Sequence, residues 1–389
     1  RMDSLKKFES LSNFRLYEAR TRFYVVGCST QNEFSILEID RTTPGLLNVS
    51  GSKSLSQEEL DQKLAELTNL HSRTGGLEYD GPLAGILGFL FLPRIYFVYV
   101  KKKVKIGKIR GIDIWGVGTT SMKPVCHDNY CPIENPEFSS IPQKYQELLK
   151  HMDLANQTDF FFAHSFDLTR NLQANFLEPA QFGTFNDRFV WNYHLAKEFL
   201  NAFPGGASWL TFLIHGFFAQ EELPELTLTL IARRSRHMAG TRYLRRGVDT
   251  RGNVANEVES ELISEHRGSG AVTSSVVLRG SIPLFWSQTP DPGTLRPDIV
   301  VSHKANAKFT AMQLHIDNVL ARYGAPCQIL NLIKNIEKKK RETLLYETFT
   351  EASYTLIERY SSALDAKQLR RSSLEAKRLR QQQQQQQQQ

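Results

Sequence analysis

The chain has 389 residues and a formal net charge of +7 at pH 7, with 41% hydrophobic and 23% charged residues. This length allows two or three domains with sizeable cores, and the composition excludes a disordered or fibrous chain. The four cysteines follow no repeated spacing, which favours a reducing compartment over a disulfide framework.

The residue pattern disfavours a transmembrane segment, a bound metal ion and a nucleic acid partner. The most apolar stretch, Ala84–Val100, is interrupted by Pro93 and Arg94. It is therefore shorter than the ~20 residues that a spanning helix needs, and we predict no transmembrane segment. A Cys-His pair and a second cysteine at residues 126–131 have no further ligand pair at zinc spacing, so we expect no metal and no cofactor. No basic segment is interleaved with aromatic residues, so we expect no nucleic acid partner.

The N-terminal part of the chain, up to about residue 152, is predicted to be β-rich with flanking helices. Short alternating runs predict strands at Phe23–Gly27, Phe34–Ile39, Ile95–Val100 and Ile112–Val117. Gln57–Leu70 has leucines at helical spacing, and Ser56 is placed to cap that helix. A further helix is predicted at Pro142–Met152.

After Phe166 the pattern changes to strands that alternate with helices, which favours an α/β sheet. Helices are predicted at Asn192–Ala202 and Thr310–Tyr323, and strands at Leu226–Ala232, Ser274–Leu278 and Cys327–Leu332. His215 and Cys327 lie in apolar runs, so we expect both to be buried in the core. Residues 347–380 are charged and predicted to be helical, and the glutamine tract after them is predicted to be disordered.

Arginines and glycines follow the predicted strand at residues 226–232 in an unusually dense cluster. Guanidinium forks suit bidentate binding of phosphate oxygens, and glycines let the backbone approach such a group closely. The candidate phosphate-pocket residues are Arg233, Arg234, Arg236, His237, Arg242, Arg245, Arg246 and Asn256. One alternative is a solvated basic loop. In another alternative, the arginines are part of the folded core and form ion pairs with Glu257 and Glu259.

The order of residues in this cluster is specific, and further ordered motifs accompany it. The cluster reads RRSRHMAGTRYLRRG from residue 233 and GNVANEVESE from residue 252. The other motifs are LYEAR at 16–20, IDRTTP at 39–44, FDLTRNLQ at 166–173, RGSIPLFW at 279–286 and QILNLIK at 328–334. Together they resemble the Sac domain of phosphoinositide phosphatases over residues 14–345. Ser260, Leu262 and Ile112 stand where that family usually has Thr, Gln and His.

The resemblance implies an α+β fold in which a β-rich N-terminal Sac subdomain, residues 14–160, precedes a partial α/β catalytic subdomain, residues 161–346. Residues 347–389 would form a charged helical and polyglutamine tail. The LYEAR and IDRTTP motifs favour the endosomal or vacuolar subtype, similar to phosphatidylinositol 3,5-bisphosphate 5-phosphatases. That subtype implies a cytoplasmic protein, peripheral on an endosomal or vacuolar membrane, with a phosphoinositide lipid as substrate. It also implies a complex with a lipid kinase and a helical-repeat scaffold.

Sac phosphatases use a Cys-x5-Arg loop C-terminal to the NLIK motif, in which a thiolate attacks phosphorus and the arginine binds the equatorial oxygens. None of the four cysteines here has an arginine six positions later. We therefore predict no catalytic residue within these 389 residues and interpret the chain as a Sac domain cut short before its nucleophile. The alternative function is a catalytically silent Sac fragment that acts as a binding or scaffold protein.

Overall fold

The structure, a computed structural model, describes residues 10–52, 54–92, 94–131, 159–177, 185–241, 244–288, 297–338 and 341–362. The chain divides into two compact units, each assembled from two segments. The first unit comprises Arg1–Arg236 and Val258–Leu278, and the second comprises His237–Glu257 and Arg279–Gln389. The boundaries expected after residues 160 and 346 stay a prediction.

A five-stranded antiparallel sheet with one helix against it opens the first unit. Its strands are β1 (Ser12–Glu18), β2 (Arg22–Cys28), β3 (Phe34–Asp40), β4 (Val49–Gly51) and β5 (Glu78–Leu83), in the order β4-β3-β2-β1-β5. The helix α1 (Gln57–His71) begins with a capping box, because the Ser56 side chain accepts from the Glu59 N–H and the Glu59 side chain accepts from the Ser56 N–H. Leu60 and Leu67 of α1 pack against Tyr24 of β2, which fixes the helix on the sheet.

An eight-stranded sheet is the larger sheet of the first unit in the described part of the chain. Its strands are β6 (Gly85–Phe91), β7 (Ile95–Ile109), β8 (Ile112–Pro124), β9 (Phe160–Phe162), β10 (Ile214–Glu222), β11 (Leu226–Arg234), β12 (Val258–His266) and β13 (Val272–Arg279). They lie in the order β13-β12-β11-β10-β9-β8-β7-β6. Two helices, α2 (Leu172–Leu177) and α3 (Tyr193–Ala202), belong to the same unit. The strands β10, β11 and β12 are antiparallel neighbours, with Gly216 opposite Arg233 and Arg233 opposite Glu259.

The second unit is built mainly from helices around a small apolar core. It contains the strand pair β14 (Trp286–Ser287) and β15 (Val300–Val301), the helices α4 (His303–Asn306) and α5 (Thr310–Tyr323), and a helix over 342–362, α6. Met312 of α5 and Phe349, Ala352 and Leu356 of α6 lie in one buried cluster. The charged segment after residue 347 is therefore helical as far as residue 362, and its apolar face is buried.

The α+β class with a β-rich N-terminal region is confirmed, but one predicted strand is wrong. Residues 327–332 belong to no strand. Cys327, expected in the core, is exposed, as are Leu330 and Leu332. A short apolar run forms a strand only where a neighbouring strand supplies hydrogen bonds, and no described ladder includes these residues. The helix expected at Pro142–Met152 lies outside the described residues.

Candidate functional site

Arg233 lies at the centre of a buried charge cluster in the first unit. Residues alternate in β11, so Arg233 shares with Ile231 the side of the strand that faces the core, and its side chain is 0% exposed. Nη1 lies 2.9 Å from Oε1 of Glu259, and Nη2 lies 2.7 Å from Oε2 of Glu261. Nε donates to the carbonyl of Leu168 at 2.7 Å. The guanidinium is thus neutralised by two carboxylates on the neighbouring strand β12.

The FDLTRNLQ segment closes over this cluster. Besides the Leu168 carbonyl, it supplies the N–H of Leu172, which donates to Oε1 of Glu261 at 2.7 Å. Asp167 of the same segment is buried, and burial raises the pKa of its carboxyl although hydrogen bonds from Thr169 act in the opposite direction. The FDLTRNLQ segment and the arginine-rich segment are far apart in the sequence, and they meet at Arg233. Hydrogen bonds to Arg233 and Glu261 hold the FDLTRNLQ segment in place.

Arg234 and Arg236 extend from the same strand end, where they contact the segment around residues 187–193. The Arg234 carbonyl accepts from Nε1 of Trp191 at 2.7 Å. Arg236 donates through Nε to the Asp187 carbonyl at 2.7 Å, forms an ion pair with the Asp187 carboxylate, and lies 4.0 Å from the centre of the Tyr193 ring. The Arg236 side chain is accordingly half-buried and paired.

The other candidates belong to the second unit, in the loop His237–Glu257. Asn256 adopts a left-handed backbone with φ 51°, and its Oδ1 accepts from the Gly240 N–H at 3.2 Å. Gly247 has φ +72°, and a Cβ built on it would lie 2.4 Å from the Leu284 carbonyl, so only glycine fits there. Arg246 donates to Gln288 at 3.0 Å. These contacts fix the backbone conformation of the loop at Gly240, Gly247 and Asn256.

Arg245 differs from its neighbours because its side chain is exposed and no carboxylate pairs with it among the described residues. His237 is half-buried in the same loop. Arg242 lies outside the described residues. Of the eight candidates, three belong to the first unit and five to the second. Their assignment to a phosphate pocket stays a prediction.

Sequence reasoning foresaw that arginines of this segment could pair with acidic residues of the fold, and it missed several of the partners. Glu259 is confirmed as a partner of Arg233, whereas Glu257 pairs with Arg322 of α5 at 2.9 Å. Glu261 was missed. Glu261 could have been predicted as a second partner of Arg233 from its spacing to Glu259, because residues two apart on a strand lie on the same face.

His215, expected in the core, is half-buried and lies in an aromatic cluster. Its ring centre is 4.7 Å from that of Phe160 and 4.3 Å from that of Trp191, and burial lowers the pKa of the imidazole. Within the described ranges, no three His, Cys, Asp or Glu side chains are grouped so as to hold a metal ion. Nor does any described helix have the length and apolar character to cross a bilayer.

A family model described as the SacI homology domain matches residues 84–377, so the chain belongs to that family. The resemblance read from the motifs is confirmed. Phosphoinositide phosphatase SAC2 of Arabidopsis thaliana is 38% identical over 354 residues, which cover 88% of this chain and 43% of that protein. Phosphatidylinositol-3-phosphatase SAC1 of the same plant is 36% identical over 88% of this chain and 38% of its own length. The polyphosphoinositide phosphatase of Schizosaccharomyces pombe is 33% identical, over 90% and 43% respectively. The chain thus spans less than half of each relative.

Proposed function

We propose that this chain supplies the phosphoinositide-binding part of a Sac phosphatase acting on phosphatidylinositol 3,5-bisphosphate, with the 5-phosphate as the group removed. The observation that carries the proposal is the similarity to phosphoinositide phosphatases along 88% of the chain. Hydrolysis itself requires a Cys-x5-Arg loop, which these 389 residues do not contain. The activity proposed for the chain alone is therefore recognition of the phosphorylated headgroup.

The loop His237–Glu257 is the part of the chain best suited to that recognition. It presents cations on a backbone held by specific contacts, such as the Gly240 N–H to Asn256 and the close approach of Gly247 to Leu284. A preorganised loop loses less conformational entropy when it binds an anion. Arg245 is an exposed cation in the arginine-rich part of this loop, so it is the residue we assign to the headgroup phosphate.

The motifs that favour the 3,5-bisphosphate subtype form one connected network in the first unit. Arg41 of IDRTTP is buried, and its Nη1 donates to Oε1 of Glu18 at 2.8 Å and to the Ala19 carbonyl at 2.7 Å. Glu18 and Ala19 belong to LYEAR, and Lys123 also binds Glu18. Because residues of both motifs contact each other, we treat the two motifs together as one structural feature of the subtype. The endosomal or vacuolar location and the complex with a lipid kinase and a helical-repeat scaffold are part of this proposal.

A binding measurement tests the proposed recognition. Calorimetric titration with short-chain phosphatidylinositol 3,5-bisphosphate should show binding that Arg245→Ala weakens by about tenfold or more, since a hydrogen bond to a charged group contributes ~1.5–3 kcal/mol. Arg251→Ala is the matched control, because Arg251 is also exposed and lies in the same loop. It should change the affinity less than about twofold.

Two outcomes would count against the proposal. Equal affinities of Arg245→Ala and the parent chain would remove the loop from the headgroup site. Absence of any phosphoinositide binding would instead favour the silent scaffold. The enzymatic part has its own test: a longer transcript that encodes a Cys-x5-Arg loop should yield a protein that releases the 5-phosphate, and Cys→Ser at that loop should abolish release.

A further inference from the structure

The hairpin of β7 and β8 carries a dense group of positive charges that the proposed headgroup site does not use. Residues 101–113 contain six cationic side chains, at positions 101, 102, 103, 105, 108 and 110, against one acidic side chain, Asp113. Asp113 lies 2.7 Å from Nζ of Lys105 and 3.8 Å from Nζ of Lys108. The remaining charge is uncompensated within the hairpin. We call residues 101–113 the basic hairpin.

Four of the six cations of the basic hairpin are exposed, at positions 101, 102, 105 and 108. Lys101 and Lys102 are exposed, and neither has an acidic partner in the part of the chain that the structure describes. Lys101 is the extra residue of a bulge between Val100 and Lys102, which breaks the usual alternation so that both lysines reach solvent. Val104 is 58% exposed beside them. The surface thus combines adjacent lysines with an apolar side chain.

The basic hairpin is fixed to the body of the first unit. The Lys108 N–H donates to Oε1 of Gln220 at 3.0 Å, and Nε2 of Gln220 donates to the Lys108 carbonyl at 2.5 Å. The N–H of Arg110 donates to the Glu265 carboxylate, and Ile109 is 0% exposed in a core cluster. The lysines are therefore presented by an ordered scaffold, and little backbone entropy is lost when they meet a surface.

We propose that the basic hairpin docks this chain on an anionic lipid bilayer. Its charge is complementary to lipid phosphate and carboxylate groups, and Val104 suits the boundary between headgroups and acyl chains. Single-stranded nucleic acid would be bound through exposed aromatic rings. The described hairpin offers Trp115, whose ring is covered by the Lys103 ammonium at 4.1 Å. The choice of a bilayer over nucleic acid rests on the proposed function.

Vesicle flotation tests this docking surface. The probes are phosphatidylcholine vesicles with and without phosphatidylserine, at physiological and at high salt. Each lysine near an anionic surface contributes about fivefold to binding, so the double variant Lys101→Gln/Lys102→Gln should bind roughly 25-fold more weakly. Lys63→Gln/Arg73→Gln is the control, because it removes two exposed cations from α1 and the turn after it. This control variant should bind like the parent chain, and binding by the parent should fade as salt rises.

Three results would overturn the proposal. The first is unchanged vesicle binding by the Lys101→Gln/Lys102→Gln variant, which would place the contact elsewhere, for example in the basic C-terminal residues. The second is binding to pure phosphatidylcholine that high salt does not weaken. The third is hairpin-dependent binding to an oligonucleotide without binding to vesicles. Titration with the short-chain phosphoinositide separates this proposal from the headgroup site, because the double variant should keep its headgroup affinity.

Discussion

Removal of the Arg233 side chain should be among the most destabilising single changes in the first unit. Arg233→Ala leaves Glu259 and Glu261 buried on β12 without their shared cation, and leaves the Leu168 carbonyl without its donor. Arg233 and Glu261 are both 0% exposed, so water cannot replace the lost contacts without opening the sheet. The variant therefore measures what happens when a buried charge loses its counterion.

The expected loss follows from the number and burial of the contacts. Breaking one side of a buried ion pair costs about 3–5 kcal/mol, which for a unit of this size lowers the melting temperature by roughly 6–20 °C. Arg267→Ala is the matched control, because it also removes an arginine–carboxylate pair, with Glu222, whose two side chains are 50% and 59% exposed. An exposed pair contributes about 1 kcal/mol or less, so the control should melt within about 4 °C of the parent.

Thermal unfolding followed by circular dichroism checks both values. A third variant, Arg233→Met/Glu259→Gln/Glu261→Gln, should melt above Arg233→Ala, because removing the carboxylate charges together with the cation leaves no buried ion unpaired. If Arg233→Ala and Arg267→Ala lower the melting temperature equally, the cluster contributes no more than a surface pair and the reasoning is wrong.

Three further predictions concern titration and chemistry. Burial lowers the pKa of His164 to about 3, so the unfolded chain binds the proton more readily and the folded state should lose about 2 kcal/mol between pH ~6.5 and pH ~5. His164→Phe should flatten that part of the melting-temperature profile, and an unchanged slope would contradict this cause. Burial raises the pKa of Asp167, so the folded state binds the proton more readily and stability falls as pH rises above the ordinary value of 3.8. Asp167→Asn should consequently gain melting temperature relative to the parent from pH ~4 to pH ~7, and a constant difference would refute it. Finally, the purified 389-residue chain should release no inorganic phosphate from any phosphoinositide. Colorimetric detection of phosphate release that Cys327→Ser abolishes would show that these residues do contain a nucleophile.

The elements that could be predicted from sequence are those whose signal is local. The helix α1 is marked by leucines at helical spacing and by Ser56 and Glu59, which form the capping box within one turn. The helix predicted at Thr310–Tyr323 has the observed bounds of α5. In both cases the residues that decide the structure are close together in the chain, so one window of sequence contains the information.

The failures have a common physical cause, which is dependence on distant residues. The strand predicted at Ile95–Val100 is longer in the structure, because pairing with β8 carries β7 to Ile109. The run at residues 327–332 has the composition of a strand and no described partner. At the candidate site, Arg233 contacts Leu168, which is 65 positions away, and the N–H of Leu172 contacts Glu261, which is 89 positions away. No local pattern specifies such pairs.

The pairing of Glu257 with Arg322 also has a consequence for synthesis of the chain. The two residues are 65 positions apart, and Glu257 is 0% exposed once the pair has formed. Translation at ~5–20 residues per second separates their appearance by about 3–13 s. During that interval Arg322 has not yet been made, and the Glu257 carboxylate favours water over the interior. The Glu257–Arg322 pair can therefore form only after α5 has been made, so this contact of the loop comes late in translation although Glu257 is translated first.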